Sequence, residues 1–145
     1  MNRRRQSVRG VTLIELMIVV SIVGIIAGFA YPSYMDQVKK SRRTEGMAAL
    51  LELADRMERH YADSGSYSQA DGSDMTAAVI YHNHSENAYY LLSIDPGTDE
   101  LQFTARATPT AKGRQDTDKC GTFIINAQGL TSVSGGSLSR SDCWK

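Results

Sequence analysis

The sequence predicts an α+β protein in which one long N-terminal helix packs on a small antiparallel sheet of about four strands. Three observations carry this. Residues 11–31 are almost wholly apolar, interrupted only by Thr12, Glu15 and Ser21. After Pro32, Met47, Leu50, Leu51, Ala54, Met57 and Tyr61 recur at steps of three and four, the period of a helix with one apolar stripe. From residue 89 onward, short apolar or alternating segments are separated by turn residues, the pattern of strands.

The apolar run comes first. At about 1.5 Å per residue, its 21 residues span roughly 31 Å, enough to cross a bilayer core. It is too long for the apolar part of a secretory signal, and no A-x-A cleavage pattern follows it; Tyr31-Pro32-Ser33-Tyr34 does. A membrane anchor fits better. Arg3, Arg4, Arg5 and Arg9 precede it and predict a cytoplasmic N-terminus, although Lys39, Lys40, Arg42 and Arg43 form an equally basic cluster on the far side. The 145-residue chain has no net charge, with 16 basic and 16 acidic side chains. Without residues 1–10 and their four arginines the balance is −4, which argues against bulk attraction to nucleic acid.

Glu15 is the exceptional residue of the run. A carboxylate in an apolar helix is costly and usually has a partner and a task; the plainer reading is that it lies near the helix start and reaches the headgroups. The stretch Arg9-Gly10-Val11-Thr12-Leu13-Ile14-Glu15-Leu16-Met17-Ile18-Val19-Val20 resembles the prepilin peptidase motif of type IV pilin precursors. That resemblance implies a cleaved leader over 1–10, with the cut between Gly10 and Val11 and N-methylation of Val11. It implies prepilin peptidase/N-methyltransferase, other pilin subunits and the inner-membrane assembly machinery as partners. It also implies that Glu15 pairs with the N-terminal amine of a neighbouring subunit and sets axial register. The chain would begin in the inner membrane, head periplasmic, and end in an extracellular pilus serving adhesion and twitching motility. Val11 stands where phenylalanine is usual. The pseudopilins of type II secretion share this N-terminus.

Within the anchor, Gly24 and Gly28 share one helix face, a spacing that allows close helix approach, though glycine is frequent in membrane helices generally. Pro32 removes a backbone donor and bends or breaks helices. The resemblance implies that the segment carrying Gly24, Gly28 and Pro32 can lose helicity in an assembled fibre. Residues 32–62 continue the helix as its amphipathic half. The basic cluster Lys39 to Arg43 is suited to anionic headgroups, to acidic surface on a neighbour, or to plain solvent exposure.

Residues 63–145 form the expected head; a soluble head would start at about residue 44. Asp63-Ser64-Gly65-Ser66-Tyr67-Ser68 reads as a helix stop, and polar, weakly patterned loop continues to about Asn87. Tyr89 to Ile94, Leu101 to Ala107, Thr122 to Ile125 and Leu130 to Val133 read as strands. Cys120 and Cys143 bracket the last hairpin and a Ser/Gly-rich tail. Downstream of a membrane anchor they are expected to pair in an oxidising compartment, the alternative being two free thiols. A bridge across about 24 residues is worth roughly 3 kcal/mol. The patterns Lys119-Cys120-Gly121 and Asp142-Cys143-Trp144, with Glu58-Arg59-His60-Tyr61, are most similar to PilE-type minor pilins, whose relatives include the DNA-uptake pilin ComP.

No phosphate-binding loop, dinucleotide turn, CxxC or GxSxG occurs, so neither an enzyme nor a cofactor is expected. His82-Asn83-His84 with Glu86 has metal-ligating residue types at unspecific spacing. Lys112, Arg114 and Lys119, with Tyr81, Tyr89 and Tyr90, form a small basic and aromatic set of the kind that binds nucleic acid. Asp116 and Asp118 share the loop, and that charge favours a solvated loop instead.

Overall fold

The structure, a computed structural model, describes residues 10–69 and 72–145. The leader arginines Arg3, Arg4, Arg5 and Arg9 lie outside the described residues. The chain divides into two compact units between Gln37 and Val38.

The first unit holds the start of α1 (Leu13–Ser64). The helix is continuous through Gly24, Gly28 and Pro32, so the proline does not break it. Every residue from Gly10 to Tyr34 is exposed. The segment is apolar and long enough to cross a membrane by length and composition.

The second unit starts at Val38. Here α1 buries Gly46, Ala49, Leu50, Leu53, Ala54 and Met57. The spine Gly46, Leu50, Leu53, Met57 follows steps of four, three and four, one line down a helix. The expected stripe holds at Leu50, Ala54 and Met57, with Met47 and Tyr61 packed against the core, and departs at one position: Leu51 is half-exposed, whereas Leu53 is completely buried. Only a narrow band of the helix meets the sheet, and Leu51 lies about 100° around from Leu50. Gly46 permits the closest approach, since a Cβ there would lie 2.6 Å from the Tyr90 ring. The helix stops at Gly65, whose φ of 75° and N–H to the Tyr61 carbonyl (2.7 Å) make a left-handed cap.

The sheet is a meander of β1 (Tyr90–Pro96), β2 (Phe103–Pro109), β3 (Gly121–Asn126) and β4 (Thr131–Gly135), all neighbours antiparallel in the order β1-β2-β3-β4. Its register aligns Leu92, Ala107, Phe123 and Val133 across the four strands. Ala105 and Ala107 are fully buried beside Tyr90 and Phe123, small residues between large ones.

The segment after α1 is less loop-like than its composition suggests. Tyr67 is buried between Tyr61 and Phe103, with ring centroids 4.7 and 4.8 Å away. Met75 and Ala77 join the core, and α2 (Ala77–Ile80) follows. Asn83 and Ser85 cover the outer edge of β1 through Leu92 N–H to Asn83 O (2.8 Å) and Ser85 N–H to Tyr90 O (2.9 Å). At the other edge, α3 (Arg140–Cys143) is held by the Cys120–Cys143 disulfide, Cα atoms 5.8 Å apart. Arg140 Nε donates to Thr131 Oγ1 (2.8 Å) and Trp144 Nε1 to Ser132 O (3.0 Å), so the tail guards β4.

Candidate functional site

Two surfaces carry the residues singled out by the sequence. The first is the start of α1. Gly10 and Val11 lie just ahead of the helix and are exposed. Thr12 caps it: its Oγ1 accepts the Glu15 N–H (3.3 Å) and its carbonyl accepts the Leu16 N–H (3.1 Å). Glu15 therefore sits at the third helical position, where a carboxylate also meets the positive end of the helix dipole. It is exposed, and among the described residues its carboxylate forms no ion pair. A Cβ added to Gly24 or Gly28 would meet nothing within 4 Å. What the segment offers is an unpartnered apolar helix face with one negative charge near its start.

The second surface centres on a tight turn, Lys112–Thr117, between β2 and β3. Asp116 N–H to Thr110 O (2.9 Å) ties it to the end of β2, and Thr117 Oγ1 donating to Arg114 O (2.8 Å) closes it internally. The basic cluster of α1 lies against it: Lys39 Nζ donates to Thr117 Oγ1 (2.6 Å) and Arg42 Nη1 to Gly113 O (2.8 Å). Arg42 Cζ is 4.1 Å and Lys112 Nζ 5.6 Å from the centroid of Tyr89, both within cation–π range. Lys112 and Arg114 are exposed. Among the described residues, Ala88 (φ 56°) and Arg114 (φ 60°) are the non-glycine residues with positive φ. One adjoins Tyr89 and the other lies within the turn. A left-handed L-residue costs about 1–2 kcal/mol, and such strain tends to collect where a surface has work to do.

These contacts correct several expectations. Of the Lys39–Arg43 cluster, Lys39, Arg42 and Arg43 bond to their own head, because residues some 75 positions later fold against them, while Lys40 is exposed. Arg43 and Asp118 form a bidentate ion pair, Nη2 to Oδ1 at 2.7 Å and Nε to Oδ2 at 2.9 Å, with side chains only 12% and 1% exposed. Asp118 Oδ2 also accepts the Cys120 N–H (3.2 Å). Asp118 is thus neutralised inside, and the charge argument against a basic surface loses that carboxylate. Of the three tyrosines considered for stacking, Tyr90 is fully buried, and Arg56 and Arg42 lie over the rings of Tyr81 (4.7 Å) and Tyr89 (4.1 Å); Tyr89 is the one within the basic surface, where its ring orders the cations. Lys119 is tied by its backbone to the C-terminal loop, accepting from Ser137 and Leu138 N–H.

Sequence reasoning missed Gln115 altogether, and it singled out Arg42 and Arg43 without seeing that their partners lie in the same head. The helical spine itself held a signal: extended backwards from Gly46 by three and four, it reaches Arg43 and Lys39. Gln115 is fully buried and donates through Nε2 to Tyr90 Oη (2.9 Å) and to Lys39 O (3.3 Å). Burial pushes the Tyr90 hydroxyl up to about 12, against the opposing Gln115 hydrogen bond. Beside the turn, Glu45 accepts from Asn87 N–H (2.8 Å) and Asn87 Nδ2 (3.1 Å). Burial alone would raise its pKa; bonds from Ser85 and Asn87 and the charge of Lys112 outweigh that and hold it below the ordinary value. His82 and His84 have ring centroids 6.4 Å apart, and His84 Nδ1 lies 3.0 Å from Ser85 O. No cluster of three or more metal-ligating side chains occurs among the described residues.

Residues 32–124 match the family described as type IV minor pilin ComP, DNA uptake sequence receptor, and residues 5–31 match the prokaryotic N-terminal methylation motif. The chain is 36% identical over 122 residues to type IV major fimbrial protein FimA of Dichelobacter nodosus, covering 83% of this chain and 68% of the relative. It is 38% identical over 102 residues to another fimbrial protein of Dichelobacter nodosus, covering 70% of this chain and 61% of that one. The Neisseria meningitidis non-core minor pilin PilV shares the fold, with a TM-score of 0.55 at 23% identity, over 72% of this chain and 94% of that chain.

Proposed function

The chain belongs to the type IV pilins, within the ComP minor pilin family, and from that premise we propose that it is a minor pilus subunit assembled through the first half of α1. The observation that carries this reading is the bare apolar segment from Val11 to Tyr34, helical from Leu13, with Glu15 near its start. The Gly10–Val11 bond is cut by prepilin peptidase, and the new amine of Val11 is methylated. Before assembly the apolar segment anchors the chain in the inner membrane, leader inside and head outside. During assembly the segments pack together, and Glu15 meets the terminal amine of a neighbour. In a low-dielectric bundle that pair is strong, and an unpaired carboxylate is penalised, so register follows. Gly24 and Gly28 supply close approach and Pro32 a place where the helix yields.

Mass spectrometry of sheared surface filaments tests this. A peptide starting at methylated Val11, at low abundance beside another pilin, is expected; processed protein confined to the membrane would refute incorporation. Glu15→Ala is expected to insert and be cleaved normally yet reach filaments at least tenfold less, and normal incorporation would remove the register role.

A second reading has its own observation. Arg42, Lys112 and Tyr89 form a cation–aromatic surface flanked by strained Ala88 and Arg114. Together with the DNA-uptake description of the family, this supports capture of DNA through phosphate contacts. A gel shift with the full chain in detergent micelles is expected to show binding that weakens steeply with salt. Replacing Lys112 and Arg114 together by alanine is expected to abolish it; unchanged binding would end this reading.

A further inference from the structure

We propose that Gln115 is a positioning residue, a buried pin that holds the Lys112–Thr117 turn against α1 and so keeps Lys112 and Arg42 at Tyr89; this rests on the second, DNA-capturing reading above. The turn itself has little apolar content, and Lys112, Gly113, Arg114, Asp116 and Thr117 are all exposed. Gln115 is the one side chain of the turn that enters the interior. Its amide reaches two elements at once, the Tyr90 hydroxyl on β1 and the Lys39 carbonyl on α1. Tyr89 is the residue before Tyr90, and Arg42 is less than one helical turn from Lys39. The pin therefore joins the two elements that supply the other members of the basic surface.

The energetics of this amide favour geometry over stability. Gln115 Nε2 makes both bonds, while among the described residues the buried Oε1 has no hydrogen-bond partner. An unsatisfied buried acceptor cancels much of what the donors contribute. Replacing both members of a buried polar pair by apolar groups of the same shape is close to neutral. The Lys39 carbonyl lies inside α1, where the helix already supplies its backbone donor. What the amide adds that an apolar side chain cannot is direction: hydrogen bonds fix the turn in one position, where apolar packing admits several.

The test is the double variant Tyr90→Phe/Gln115→Met in the full chain, with Gln115→Asn as a second variant that keeps the amide but shortens its reach. Three quantities are read: the thermal midpoint, amide exchange at Arg114, Asp116 and Asp118, and affinity for a random-sequence DNA duplex of about 20 base pairs across a salt series. The expectation is a midpoint within about 3 °C of the native chain, exchange in the turn faster by about tenfold or more, and affinity about tenfold weaker with a shallower salt slope. A kept midpoint with native exchange and native affinity would overturn the proposal. Should the double variant unfold, Gln115→Asn is read by the same criteria. Should the native chain itself fail to bind the duplex, the DNA reading falls. The pin then stands or falls on exchange alone, faster exchange supporting it and unchanged exchange refuting it.

Discussion

Between Leu13 and Tyr34, α1 buries none of its large apolar side chains, with Ile14, Val19 and Phe29 all more than half exposed. Between Gly46 and Met57, the same helix buries six residues against the sheet. The two halves have the same backbone and opposite chemistry. The first is apolar all round and carries a lone carboxylate; the second is apolar along one spine and decorated with i,i+4 pairs such as Glu52–Arg56 and Asp55–Arg59. A helix that is apolar on every face has no internal stripe to satisfy and requires surroundings, whether lipid or other helices. A helix with a spine finds its surroundings in its own chain. Between them, Lys39, Arg42 and Arg43 use charge rather than apolar area to join helix to head.

The contrast is sharpest where charge is buried. Arg43→Ala would leave Asp118 enclosed without its partner, and is expected to lower stability by about 4 kcal/mol, read as the unfolding transition of the full chain in detergent. A loss below about 1 kcal/mol would mean that water reaches the pair. Leu53→Ala is expected to cost about 3 kcal/mol by leaving a cavity. Ile18→Ala, in the other half of the helix, is expected to leave the same transition within about 0.5 kcal/mol. Equal effects at the two positions would erase the division between the halves.

The smallest effect concerns pH. Glu45 has a folded pKa below its ordinary value of 4.5, so its contribution is fully present above that value and is lost as pH falls through the depressed one. Urea midpoints are expected to drop between pH 6 and pH 3.5, and Glu45→Gln to lessen that drop. An unchanged pH dependence would assign it to other carboxylates.

Much of this architecture was legible in the residues. The apolar run, the four strands, the helix stop near Gly65 and the bracketing cysteines all follow from local pattern, because period, turn chemistry and spacing are properties of neighbouring positions. The first surface was legible for the same reason, since Gly10, Val11 and Glu15 lie within six residues. The second was legible only in part. Lys112 and Arg114 stood out as basic residues, yet nothing local said that Arg42 would lie over Tyr89, that Tyr90 would turn inward, or that Asp118 would be consumed by Arg43. Nor did the Ser/Gly-rich tail carry any local sign that Trp144 and Arg140 would anchor it to β4.

The sequence by itself therefore determined the apolar run, the strand segments and the position of the lone carboxylate, since each is a one-dimensional pattern whose physics acts within a few residues. Only the tertiary structure decided what the charges between the two halves do. Arg43 and Asp118 are 75 residues apart, and whether two opposite charges meet, meet solvent or meet another subunit depends on the packing of Tyr90 over Gly46 and of Gln115 beneath the turn, which no local period encodes.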